Sequence, residues 1–145
     1  MDLDIGKHLV VLGMNHSCSG VLVRERVFLT QAQIPDALRA LKQIPDVNEC
    51  LILSTCNRIE IYAVVANTDI ACSRLLQFVA DYKNIEIDKF KKHTYFFCCN
   101  EAVRHFYEVI ASLDSLVIGE GQIVSQVKNA YRTAWENGVT GPFIN

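Results

Sequence analysis

The sequence predicts a single α+β domain, a small, mostly antiparallel β-sheet packed with α-helices. Three observations carry that prediction. Half of the 145 residues are hydrophobic, with no Pro-, Gly- or Ser-rich stretch among them, the composition of a packed unit that buries about two-thirds of its unfolded surface. Short β-branched runs alternate with longer segments of helical periodicity. Two of those runs, Leu51–Ser54 and Ile59–Ala66, flank so short a polar break that they read as neighbouring strands joined by a tight loop.

In order along the chain, His8 to Met14 is an apolar run closed by Gly13 and Asn15, a first strand. Asn15–Gly20 is a polar loop, and Val23 to Val27 fits a helical turn. Thr30-x-x-Gln33 has the form of a capping box, and Ile34, Leu38 and Leu41 share the face of the helix that follows. Pro35 either sits in its first turn or marks a later start, and Pro45-Asp46 ends it. Glu49 to Ser54 and Ile59 to Ala66 are the central strands. Asp69 is placed to cap a helix reaching Tyr82, with Leu75, Phe78, Val79 and Tyr82 inward. Thr94 to Cys99 reads as a buried strand. Asn100 then caps a helix whose Val103, Phe106, Tyr107, Ile110 and Leu113 recur at helical spacing, with His105 beside that stripe. Gly119-Glu120-Gly121 breaks the pattern before a last helix, Gln122 to Glu136, with Ile123, Val127, Ala130, Tyr131 and Ala134 on its apolar face.

Composition narrows the function classes. A formal charge of −2 argues against a nucleic-acid binder that relies on bulk positive charge, and the run Lys89, Lys91, Lys92, His93 reads most simply as a solvated face. Met1-Asp2-Leu3-Asp4 is acidic and no long apolar stretch follows it, so neither a secretory signal nor a membrane span is expected. The expected setting is cytoplasmic and reducing, with the six cysteines (Cys18, Cys50, Cys56, Cys72, Cys98, Cys99) as free thiols. No C-x-x-C occurs and His16-x-Cys18 lacks a second ligand pair, so no zinc site is expected. Gly119-x-Gly121 lacks the third glycine and the preceding strand of a dinucleotide fingerprint.

Some residues carry possible chemistry. Cys56 lies in the break between the two central strands, where a nucleophile would be exposed and firmly held; it could equally be a small buried hydrophobe at a strand end. His16 could carry a proton or be a hydrogen-bonded loop residue, and His105 could be a catalyst or a helix-border residue. Gln122, Gln126 and Asn129 form an amide stripe that is either an ordinary wet face or a reader of a small polar ligand.

Longer motifs then add to this. Ser54-Thr55-Cys56-Asn57-Arg58-x-Glu60-x-Tyr62, Gly13-x-Asn15-His16 followed by Arg24-Glu25, and Leu113-Asp114-Ser115-Leu116-Val117-Ile118-Gly119-Glu120-x-Gln122-Ile123-x-x-Gln126-Val127-Lys128 together resemble the N-terminal catalytic domain of the glutamyl-tRNA reductases, over nearly the whole chain. The resemblance implies an enzyme that reduces glutamyl-tRNA(Glu) to glutamate-1-semialdehyde with NADPH, the first step of five-carbon tetrapyrrole synthesis. It implies that residues 1–145 are one catalytic domain, and that the family's NADPH-binding Rossmann domain and C-terminal dimerisation domain are absent from this chain. Cys56 would attack the glutamyl ester and form a thioester, and His105 would assist. Thr55, Asn57, Arg58, Ser115, Glu120, Gly121, Gln122 and Gln126 would line the glutamyl pocket, with Glu120 facing the substrate's amino group.

Chemistry supports a thiol in that role, because a thioester accepts hydride more readily than an oxygen ester. An ordinary cysteine is only about 3 % thiolate at neutral pH, so it needs a nearby cation or base. Arg58 could be that cation, but its better use is a bidentate clamp on the substrate's side-chain carboxylate. The implied partners are glutamyl-tRNA, a second copy of the full-length protein and an aminomutase that receives the aldehyde. The chain departs from many members at Gly121 (Pro), Ser112 (Gly) and Phe97 (His). The competing reading is a non-catalytic RNA- or protein-binding module with a structural Cys56. Such a module should show a basic or aromatic surface stripe, whereas here the special residues cluster around one thiol.

Overall fold

The computed structural model describes residues 6–111 and 122–145, and in the last helix the side chains from Ser125 onward. The elements run β1 (His8–Asn15), α1 (Val21–Val27), α2 (Ile34–Lys42), β2 (Glu49–Ser54), β3 (Arg58–Val65), α3 (Thr68–Lys83), β4 (Tyr95–Cys98), α4 (Asn100–Ile110) and α5 (Gln122–Glu136). Two 3₁₀ turns, Ile87–Lys89 and Lys91–His93, lead into β4. The strands form one sheet in the order β2-β3-β1-β4, and every pairing is antiparallel. The expected α+β class is what the chain adopts.

Register decides which residues share a face. Ile59, Ile61 and Ala63 lie beside Met14, Leu12 and Val10 of β1 and Ser54, Ile52 and Cys50 of β2. This face packs on α2 and α3: the Cys50 thiol lies 3.8 Å from the Leu38 carbonyl, and Phe78, Val79 and Tyr82 of α3 line a small cavity together with Leu12, Met14 and Ile61. Arg58, Glu60, Tyr62 and Val64 occupy the opposite face with Asn15, Gly13, Val11 and Leu9, and with Tyr95 and Phe97 of β4. There α4 covers them, with Phe106 edge-on to Tyr62 at 5.3 Å between ring centroids. Helices on both faces leave all of β2 and β3 buried.

Several expected boundaries shift for local reasons. The capping-box bonds between Thr30 and Gln33 do form, at 3.0 and 3.3 Å, but they close a lead-in turn. The helix itself begins at Ile34, and Pro35 occupies its first turn, where its missing N–H costs nothing. The cap of α3 is Asn67, whose side chain accepts from the Asp69 N–H at 3.0 Å; Asp69 is the first-turn acid. The last strand is shorter than expected and only half-buried, since it lies at the sheet edge. Exposed Cys99, at φ 59°, then turns the chain into α4 without a side-chain cap.

The inward face of α4 also differs. Ala102, His105 and Val109 are buried, whereas Val103 and Tyr107 are 36 % and 64 % exposed. Val127 is half-buried and Tyr131 exposed on α5, with Ala130 and Ala134 inside. Expectations for Met1–Asp4, Leu113 and Gly119, and for the Ile123 side chain, lie outside the described residues. Among those described, no helix is long and apolar enough to cross a membrane.

Candidate active site

The β2–β3 hairpin presents Cys56 at its tip. The Thr55 N–H donates to the Arg58 carbonyl at 2.8 Å, and the Thr55 hydroxyl accepts the Asn57 and Arg58 N–H groups at 3.2 Å each. Neither Cys56 nor Asn57 has positive φ, so the threonine side chain satisfies the turn that a glycine-bearing hairpin would close by left-handed backbone. Thr55 and Arg58 are buried, Asn57 is half-buried and Cys56 is exposed. The alternative of a buried Cys56 is thereby excluded.

Directly behind the tip, Arg58 and Glu60 point to the same face because they are two residues apart on a strand. Both side chains are fully buried, and Arg58 Nη1 lies 3.2 Å from Glu60 Oε2. Glu60 also accepts the Tyr62 hydroxyl at 2.7 Å on Oε1, and the Tyr95 hydroxyl and His105 Nε2 on Oε2. Burial alone would push its carboxyl up. The hydrogen bond and charge of His105, then Arg58 and Tyr95, outweigh burial and hold it below the usual carboxylate range. Burial, and then the Glu60 charge, push the Tyr62 and Tyr95 phenols the other way. The His105 ring lies against Tyr95 and Phe97, each at 5.1 Å.

Glycine at position 13 is what lets this group assemble. Gly13 sits opposite Glu60 on β3 and Tyr95 on β4, so Tyr95 must pass over it to reach Glu60. A Cβ there would stand 2.6–2.7 Å from the Tyr95 ring and hydroxyl, inside contact distance.

Asn15 pairs with Arg58, so the loop after β1 leaves the sheet at the same end as Cys56. That loop is tied down by Asn15, whose side chain accepts the Ser17 N–H at 2.9 Å, and by the Cys18 thiol on the His93 carbonyl at 2.9 Å. His16 lies in it, half-buried, with no hydrogen-bond partner on Nδ1.

The structure therefore gathers Thr55, Cys56, Asn57 and Arg58 on one hairpin and links Arg58 to His105 through Glu60. Gln126 is half-buried on α5. Ser115, Glu120 and Gly121 lie outside the described residues, as does the side chain of Gln122. Glu60, Tyr95 and Gly13 had no assigned role from the sequence. Glu60 and Gly13 stood in the longer motifs without a task, and Tyr95 was visible only as part of a strand. The expectation of no aromatic stripe also needs correction: Tyr107 and Trp135, 64 % and 60 % exposed, border a groove between α4 and α5 beside Lys128 and Arg132. Helical spacing assigned Tyr107 to the core.

Among the described residues, no group of three or more His, Cys, Asp or Glu could hold a metal. Among the described residues every strand pairing is antiparallel, unlike the parallel strand–turn–helix units that seat a dinucleotide.

Comparison with known proteins agrees with the motifs. The family described as glutamyl-tRNAGlu reductase, N-terminal domain, matches residues 12–145. A glutamyl-tRNA reductase of Prochlorococcus marinus (strain MIT 9301) is 46% identical over 138 residues, covering 95% of this chain and 32% of that protein. One of Citrifermentans bemidjiense is 38% identical with the same coverage of each. The solved structure of glutamyl-tRNA reductase from Methanopyrus kandleri superposes with a TM-score of 0.74 at 28% identity, covering 92% of this chain and 29% of that one. The chain thus spans about a third of the length of the relatives it matches.

Proposed function

This chain belongs to the glutamyl-tRNA reductase N-terminal domain family, and from that premise we propose that it carries the acyl-transfer half of the reaction. The Cys56 sulfur attacks the carbonyl carbon of the glutamyl ester. The bond from that carbon to the ribose oxygen breaks, the oxygen takes a proton and leaves with the tRNA, and glutamate stays behind as a thioester on Cys56. The observation that carries this reading is an exposed thiol on a tightly hydrogen-bonded tip, with Arg58 and His105 joined behind it by one buried carboxylate.

In this proposal Arg58 clamps the substrate's side-chain carboxylate, using a planar fork that distinguishes glutamate from glutamine. Thr55 and Asn57 hold the hairpin and line the pocket. His105 moves the proton between sulfur and leaving oxygen. Ser115, Glu120, Gly121, Gln122 and Gln126 complete the pocket, with Glu120 on the amino group. Reduction of the thioester to glutamate-1-semialdehyde draws on NADPH in the reading we propose for the longer protein, whose setting is cytoplasmic tetrapyrrole synthesis, as a homodimer passing its aldehyde to an aminomutase. The step we propose for this chain is formation of the thioester.

The test is to mix the chain with glutamyl-tRNA carrying labelled glutamate, quench in acid and measure intact mass, with Cys56→Ala in parallel. The expected result is a glutamyl adduct on the parent and none on the variant. A parent that binds the tRNA yet forms no adduct would overturn the proposal in favour of a binding module.

A further inference from the structure

The acyl transfer just described uses Cys56, Arg58 and His105 but gives no task to Glu60, the charge at the centre of the buried group. We propose that Glu60 is a positioning residue for that reaction: its one carboxylate holds His105 in the Nε2–H form while fixing the plane of the Arg58 guanidinium. The inference rests on the acyl-transfer reading and deepens it.

Hydrogen-bond bookkeeping requires the tautomer. An ionised carboxylate only accepts, so the His105 Nε2 against Glu60 Oε2 must carry a proton. Any proton that the ring takes up or releases during the reaction then passes through Nδ1. This is the relation of orienting carboxylate to base that recurs wherever a histidine serves a nucleophile.

Orientation is over-determined. Glu60 is faced by Arg58 and Tyr62 from its own strand, Tyr95 from β4 and His105 from α4. The residues opposite it on β1 and β2, Gly13 and Leu53, do not titrate. Four donors from three elements fill both oxygens, so the carboxylate cannot rotate without losing one. A buried Arg–Glu pair serving stability alone is commonly replaceable by apolar residues at little cost, and it would need neither two tyrosines nor the lane that Gly13 clears for Tyr95.

Two measurements test this. In the parent chain labelled with ¹⁵N-histidine, nitrogen shifts should show His105 protonated at Nε2; a neutral ring protonated only at Nδ1 would overturn the proposal, and this readout needs no variant. In single-turnover adduct formation, Glu60→Gln keeps the shape and removes the charge. It should lower the saturating rate about 100-fold, the size of a general acid–base contribution, with a much smaller change in the substrate concentration for half-maximal rate. Glu60→Asp should recover part of the rate. A folded Glu60→Gln with the parent's rate, or one altered only in affinity, would sink the inference while leaving the thioester reading intact. A parent that forms no adduct would sink the thioester reading itself. Should Glu60→Gln not fold, Tyr95→Phe removes a single hydroxyl from the same carboxylate and should slow the saturating rate in the same direction; a parent-like rate there counts against the proposal.

Discussion

Two glutamates lie buried on the same face of this sheet, Glu60 in the middle of β3 and Glu49 at the start of β2, and their charges are satisfied in opposite ways. Glu49 accepts three backbone N–H groups from the end of the chain, those of Gly141 and Ile144 at 2.8 Å and of Phe143 at 3.0 Å. Gly141 is pressed so close that a Cβ would stand 2.9 Å from the Glu49 carboxyl carbon. Glu60 accepts only side chains: a guanidinium, two phenols and an imidazole. Backbone donors neither titrate nor turn, so Glu49 is a clasp that pins residues 141–144 to the sheet. Side-chain donors can do both, so Glu60 organises groups that can take part in chemistry.

Removing each carboxylate should expose that difference. The largest effect is expected for Glu60→Leu, which leaves Arg58 buried beside an apolar group and should cost about 3–5 kcal/mol of stability, read as a lowered urea midpoint. Glu49→Gln should cost less, about 1–3 kcal/mol, because one backbone N–H then faces an amide donor. It should leave adduct formation on Cys56 at the parent's rate when measured well below the melting temperature.

The smallest effect near neutrality is that of pH, and it separates the sheet's two faces. Glu60 has a folded pKa below its ordinary 4.5. Its contribution is therefore complete above about 4.5 and is lost as pH falls through the folded value. Cys50, on the other face, is raised by burial from 9.0 to about 12, so its contribution is complete below pH 9 and is lost as pH rises toward 12. Melting temperature against pH should decline at both ends. Glu60→Gln should flatten the acid limb and leave the Cys50 part of the alkaline limb.

The sequence made the hairpin legible because its signals are local. Ile59, Ile61 and their neighbours set the strands, Thr55 sets the turn, and all of it lies within a dozen residues. Helix faces were harder. The periodicity of α4 counted Val103 and Tyr107 as interior and set His105 to one side, because hydrophobicity cannot credit a histidine whose partner is Glu60, 45 residues earlier. The cap of α3 shifted from Asp69 to Asn67 because both side chains can accept the same kind of bond. Glu60 had no assigned task because Arg58-Glu60-Tyr62, alternating with isoleucines, has the pattern of a strand with one wet face, whereas in the fold that face is covered and Glu60 is buried. The motif carried Glu60 beside Thr55, Cys56, Asn57 and Arg58, but the link it makes from Arg58 to His105 needed three dimensions.

The span of those links bears on how the chain acquires its chemistry. Tyr95 and His105 reach Glu60 across 35 and 45 residues of sequence, whereas the hairpin bearing Cys56 closes within a few. Short-range contacts form before long-range ones because less loop entropy is lost. A chain emerging during synthesis therefore displays its thiol before the edge strand β4 and helix α4 have arrived to complete the group behind it. Such an intermediate carries the finished hairpin without the buried group, which is complete only once Tyr95 and His105 have closed on Glu60.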